Sequence, residues 1–120
     1  MSAAAWVAVG LLGGLAAGGR FLLDFEISAR RPSRFPLGIL AVNLLGAFAL
    51  GVVAGAGLDG EARTIVAGGL IGSFTTFSTW VLDSHRLQRA GLPDLALANV
   101  GISLVAGFAA VALGHWLGGL

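Results

Sequence analysis

Residues 68–80 read Gly68-Gly69-Leu70-Ile71-Gly72-Ser73-Phe74-Thr75-Thr76-Phe77-Ser78-Thr79-Trp80. The run occupies the middle and end of an apolar segment, 62–82, whose only charge is Arg63 near its start. It holds three glycines, five hydroxyl residues and three aromatics, a poor composition for a continuous helix. Glycine weakens a helix, and Ser and Thr side chains compete for its carbonyls. At membrane depth a break is tolerated only where it is buried in protein or lines a hydrated cavity. Discontinuous helices of this kind often hold ions with freed carbonyls. Two readings are open here: a bent helix satisfied by its own hydroxyls, or a break that holds an ion.

Outward from this run, the chain has three more segments long enough to cross a bilayer, which takes about 20 apolar residues per helix. They cover 3–23, 37–58 and 95–117, with charge only at Arg20 in the first and a histidine, His115, in the last. The 120 residues are 57% hydrophobic and 11% charged, with a mean hydropathy of +0.92. A soluble domain carries about a quarter charged residues. The shortfall excludes an ordinary soluble enzyme, a disordered tail and a nucleic-acid binder. Seven arginines against six acids leave a net charge of +1, which is no basic footprint. Without cysteine there is no disulfide framework or thiolate metal site. The start Met1-Ser2-Ala3 has no positive n-region, so the first segment is expected to be a retained span. Continuous apolar runs argue against a transmembrane barrel. The fold class is therefore all-α integral membrane: one four-helix domain over 1–120 with a break in the third helix.

Breakers agree with these boundaries. Pro32 and Pro36 bracket the first connection, Asp59-Gly60-Glu61 makes the second, and Gly91-Leu92-Pro93-Asp94 the third, with Asp94 able to cap the fourth helix. At helical spacing, Gly10, Gly13, Ala17 and Arg20 share one face of the first span. Asn43, Ala47, Gly51 and Gly55 do so in the second, and Asn99, Ser103, Gly107, Ala110 and Gly114 in the fourth. Small faces let helices approach closely in lipid. Asn43 is either interhelical glue or a pore-facing donor whose NH2 can bind an anion without trapping it. Arg20 either snorkels to the interface or forms an electropositive vestibule. His85 and His115 read as interface residues, and Trp6, Trp80 and Trp116 suit the aromatic belt. No catalytic triad, phosphate loop or metal-ligand spacing is present, so no enzyme is expected.

These residues together resemble the Fluc (CrcB) family of fluoride channels. The markers are Gly13-Gly14 with Arg20, Pro36-Leu37-Gly38 with Val42-Asn43-Leu44-Leu45-Gly46, and Gly72 through Trp80. The resemblance covers nearly the whole chain. It implies a fluoride-selective channel that passively exports fluoride and lowers its toxicity in the cytoplasm. It also implies an antiparallel dimer with two pathways, a structural sodium ion at the centre, and a place in the cell membrane. By the same resemblance Asn43 lines a pathway, Phe77 turns the positive edge of its ring to fluoride, and Ser78 and Thr79 belong to a hydroxyl track. Ser103 is a further pathway candidate, and Arg20 is the vestibule candidate. The carbonyls of Gly72 and Thr75 would hold the sodium. Two positions depart from the family's pattern: Trp80 stands where a second pore phenylalanine is usual, and Ser73-Phe74 precedes the Thr-Thr pair where a glycine is common.

Two other functions compete with a channel. A small multidrug exporter also has four helices, but it needs a carboxylate inside the membrane, and the first acid here is Asp24 at a span's end. A non-conducting structural subunit would need only the small-residue faces. Orientation is biased as well. Arg30, Arg31, Arg34, Arg86 and Arg89 fall on the side of the first and third connections, and only Arg63 on the other. By the positive-inside rule the arginine-rich side faces the cytoplasm. A chain fixed that way cannot supply its own inverted partner, so the expected dimer pairs it with a homologous chain of opposite bias. The homodimer is the alternative.

Overall fold

The computed structural model describes the backbone of all 120 residues and every side chain except that of Ser78. Helix α1 runs Ala3–Arg30 and α2 Leu37–Gly55. The third span begins with α3 (Gly60–Arg63), continues as a π-helical stretch (Thr64–Ile71) and one short turn, α4 (Gly72–Phe74), and then breaks. It resumes as α5 (Phe77–Arg89), and α6 (Pro93–Gly118) completes the chain. Among the described residues, four helices are long and apolar enough to cross a membrane, counting Gly60–Arg89 as one. The longest dimension is 49 Å, which spans a hydrocarbon core of about 30 Å together with its headgroup layers.

Local chemistry explains the ends. The Ser2 hydroxyl caps α1 by accepting from the Ala5 N–H at 3.1 Å. Where apolar sequence stops at Leu23, α1 continues to Arg30. Its last two turns are tied by Ser28 to Asp24 at 3.3 Å and by Arg30 to Glu26 at 3.1 Å, pairs spaced for a helix. Pro93 opens α6, where its missing N–H costs nothing. Asp94 falls in the first turn of α6 and does not cap it; there it still complements the helix dipole.

Packing is set by glycine. Helices α2 and α6 run parallel and mesh through two small-residue pairs. A methyl on Gly51 would overlap the Val111 carbonyl, and one on Gly55 the His115 carbonyl. Reciprocally, Gly114 lies on the Phe48 carbonyl and Gly118 on that of Val52. Backbones this close gain dispersion contact that lipid tails cannot replace. Helix α1 lies parallel to the π stretch, with Gly69 against Val9 and Gly13 against Ser73. The outer surface is apolar: Leu15, Leu97, Val105 and Phe108 are each more than 70% exposed. Such a surface suits lipid or another apolar protein face, not water.

The two ends differ. The α1–α2 and α5–α6 connections share one end, where Ser33, Arg34, Ala90 and Leu92 line one pocket. At the other end Glu61 accepts from the backbone N–H of Ser2 at 2.7 Å, so the chain start and the α2–α3 connection lie together.

Candidate functional site

The break centres on Thr75 and Thr76, both with extended backbones (φ −79°, ψ 159° and φ −146°, ψ 118°). β-Branched residues favour that conformation. The Thr75 N–H makes the last helical bond, to the Ile71 carbonyl at 3.1 Å. The next donor in line, the Thr76 N–H, goes instead to Asn43 Oδ1 on α2 at 2.9 Å. Asn43 Nδ2 donates in return to the Thr76 carbonyl at 3.0 Å. One carboxamide thus pairs with both backbone groups of the break residue, as a neighbouring strand would. An amide has two N–H donors, so among the described residues one remains without a partner on Asn43.

The α5 helix restarts under its own cap. The Thr76 hydroxyl accepts from the Thr79 N–H at 3.2 Å and donates to the Thr79 hydroxyl at 3.1 Å. In an unbroken helix the Thr76 and Thr79 N–H groups would close on the carbonyls of Gly72 and Thr75. Both are taken elsewhere, which releases these two carbonyls from the ladder. Gly46 is needed beside them: a Cβ there would strike the Thr75 methyl group.

A cavity of about 330 Å³ opens at the break, lined among others by Asn43, Gly72, Thr75, Thr76, Phe77 and Trp80. Its walls are otherwise apolar, from Leu50, Ala67 and Ile71. Phe77 is 73% exposed on the chain's surface. Its ring meets Trp80 edge-to-face, with centroids 5.3 Å apart and planes at 66°.

A second polar cluster backs Trp80. The indole N–H donates to the Asn99 carbonyl at 3.2 Å, Asn99 Nδ2 donates to Ser84 Oγ at 2.8 Å, and Ser84 Oγ donates to the Trp80 carbonyl at 3.0 Å. Ser103 Oγ donates to Asn99 Oδ1 at 3.4 Å. Asn99 is 1% exposed, so α5 and α6 close around it.

Comparison with known proteins adds the lineage. The family model described as CrcB-like protein, Camphor Resistance (CrcB), matches residues 7–115. This chain belongs to the CrcB family. Among relatives, "Fluoride-specific ion channel FluC 2" of Symbiobacterium thermophilum is 52% identical over 117 residues, covering 88% of this chain and 95% of that protein. "Fluoride-specific ion channel FluC 2" of Mycobacterium tuberculosis strain H37Rv is 41% identical over 117 residues, covering 98% of this chain and 93% of its own. A second Symbiobacterium thermophilum protein, "Fluoride-specific ion channel FluC 1", is 38% identical over 119 residues, covering 94% and 96%.

In this CrcB chain the break gathers most of the residues singled out from sequence. Asn43, Gly72, Thr75, Phe77 and Trp80 line one cavity, and Thr79 is bonded to Thr76 beside it. The Ser78 side chain lies outside the described residues. Ser103 faces a smaller neighbouring cavity of about 220 Å³, which shares Ala47 and Val111 with the first. Arg20 is half-buried on α1, seven residues beyond the Gly13–Ser73 contact, and lines neither cavity. The indole of Trp80 is no free donor, since Asn99 holds its N–H. Asn99 and Ser84 were not foreseen as a cluster, although Asn99 carries the signal that marked Asn43: an amide in an apolar helix.

Proposed function

We propose that this CrcB chain is a subunit of a passive, fluoride-selective channel in the cell membrane. The observation that carries the reading is the name shared by relatives 41–52% identical over most of the chain, and the chemistry of the break agrees with it. A small, strongly hydrated anion must meet donors that replace part of its water and still let it leave. The free Asn43 N–H, the Thr79 hydroxyl and the electropositive edge of Phe77 are such partners, and none carries a full charge. Ser103 adds a hydroxyl at the neighbouring cavity, Trp80 forms a wall, and Arg20 draws anions toward the span.

The released carbonyls of Gly72 and Thr75 fit a hard monovalent cation such as sodium. Bound there, it would supply positive charge beside the break and tie its two halves together.

Exposed Phe77 and the uncovered α1 glycines Gly10, Gly14 and Gly18, which meet no neighbour, support a second chain packed on this surface. The arginine bias supports an antiparallel partner that is homologous and oppositely charged at its ends, with the homodimer as the alternative. A multidrug exporter is disfavoured because Asp24 and Asp83 stand near one end of the bundle and not at mid-membrane. Fluoride efflux from liposomes holding the purified chain, alone and with a co-expressed homologue, tests the proposal. Efflux that requires a proton gradient would contradict it.

A further inference from the structure

A larger pocket, about 640 Å³, opens at the arginine-rich end and includes Asp24, Ser28, Arg34, Ile39, Asp83 and Arg86 in its lining. Its position is informative. Ile39 precedes Asn43 by one turn of α2, and Asp83 follows Trp80 by nearly one turn of α5. The pocket therefore stacks on the central cavity along both helices that frame the break.

The charges within it are sorted by depth. Arg86 is 69% exposed at the rim, while Asp83 is 20% exposed below it, and only a 3.8 Å contact joins them. Arg34 from the α1–α2 connection is exposed as well. Asp24 is half-buried against α2, on a backbone that Gly38 leaves bare: a Cβ there would strike its carboxylate. Its bond to the Ser28 hydroxyl leaves the charge uncompensated. No charged residue from α2 or the α5–α6 connection lines the pocket.

Resting on the channel reading above, we propose that this pocket is the anion's mouth, with an arginine rim that gathers anions and an Asp24–Asp83 floor that turns back multiply charged ones. Repulsion scales with the charge of the ion, so two carboxylates oppose a phosphate or sulfate dianion about twice as strongly as fluoride. The attraction of the rim doubles in the same way, so what sets a dianion apart is the rise in energy from rim to floor, which is twice as steep for two charges as for one. Selection against the abundant multivalent anions then happens at the mouth, before the break and its donors are reached.

The chain has no cysteine, so Ala90→Cys, on the pocket wall, gives a single reporter of local potential. Its labelling rates with anionic and cationic methanethiosulfonates are compared in membranes. Asp24→Asn with Asp83→Asn should raise the anionic-to-cationic rate ratio about tenfold, and Arg34→Gln with Arg86→Gln should lower it. In liposomes, inorganic phosphate at fixed ionic strength should leave fluoride efflux by the unaltered chain unchanged and should inhibit the Asp24→Asn/Asp83→Asn variant. A labelling ratio shifted by less than about twofold overturns the proposal, since charges lining one pocket lie within a Debye length of the reporter. So does phosphate that inhibits both proteins alike. Expected labelling ratios in a chain that moves no fluoride would support the charge pattern and refute the channel reading instead.

Discussion

Replacing Asn43 by Ala tests the bracket that holds the break. The side chain pairs with both the N–H and the carbonyl of Thr76, at 2.9 and 3.0 Å, and Thr76 is 7% exposed. Interhelical hydrogen bonds in membranes average about 0.6 kcal/mol and reach about 1.7 kcal/mol. Two such bonds lost together, to backbone groups that water does not reach, should cost about 2 kcal/mol. That is about a 30-fold change in the folded-to-unfolded ratio. Reversible unfolding in mixed micelles, followed by tryptophan fluorescence, reads this directly, because Trp80 stands beside the break. Leu97→Ala, on a side chain 74% exposed, is the control for a lost apolar contact. Flux through Asn43→Ala should fall as well, since the remaining amide donor is lost with the bracket. Stability within about 0.3 kcal/mol of the control would refute the two-bond bracket, because even one average bond exceeds that margin.

Further outcomes follow from the same geometry. Gly46→Ala should be more damaging to fluoride efflux than its single methyl suggests, because the Cβ meets the Thr75 side chain at the break. Trp80→Phe should retain efflux and lose only about 0.6 kcal/mol when unfolding is followed by far-ultraviolet circular dichroism, since it gives up the bond to the Asn99 carbonyl and keeps the aromatic contact with Phe77. Exhaustive replacement of sodium by a large organic cation should lower both efflux and dimer stability on a sizing column. Cysteines placed at Ser33 and Gly60 should each label from one side only, opposite to one another; labelling of both from both sides would refute the fixed orientation.

Much of the architecture was legible in the sequence because its causes are local. Four apolar runs became four spans, and the density of glycine and hydroxyl residues between Gly68 and Trp80 marked the break. Other features depend on partners far along the chain. Asn43 was visible as a polar residue in an apolar helix, but its ligand is the main chain of Thr76, 33 residues away, which no side-chain pattern announces. The α1 extension past Leu23 carries two polar side-chain pairs one turn apart, Ser28 with Asp24 and Arg30 with Glu26, invisible to a reading of hydropathy. The widened π stretch over Thr64–Ile71 has an ordinary apolar sequence, and its two glycines alone do not distinguish it from an α-helix. Asn99 was recognisable by type, but its partners Trp80 and Ser84 lie on another helix, and only the packing of α5 on α6 joins them.

The most direct test of the account is a side-by-side flux measurement. Purified chain is reconstituted in liposomes loaded with equal fluoride and chloride, valinomycin clamps the voltage, and electrodes follow each anion without any proton gradient. Rapid loss of fluoride with chloride retained is the predicted result, arising from this chain alone or only once an oppositely biased homologue is present. Chloride leaving as fast as fluoride, or no protein-dependent fluoride release under either condition, would contradict it.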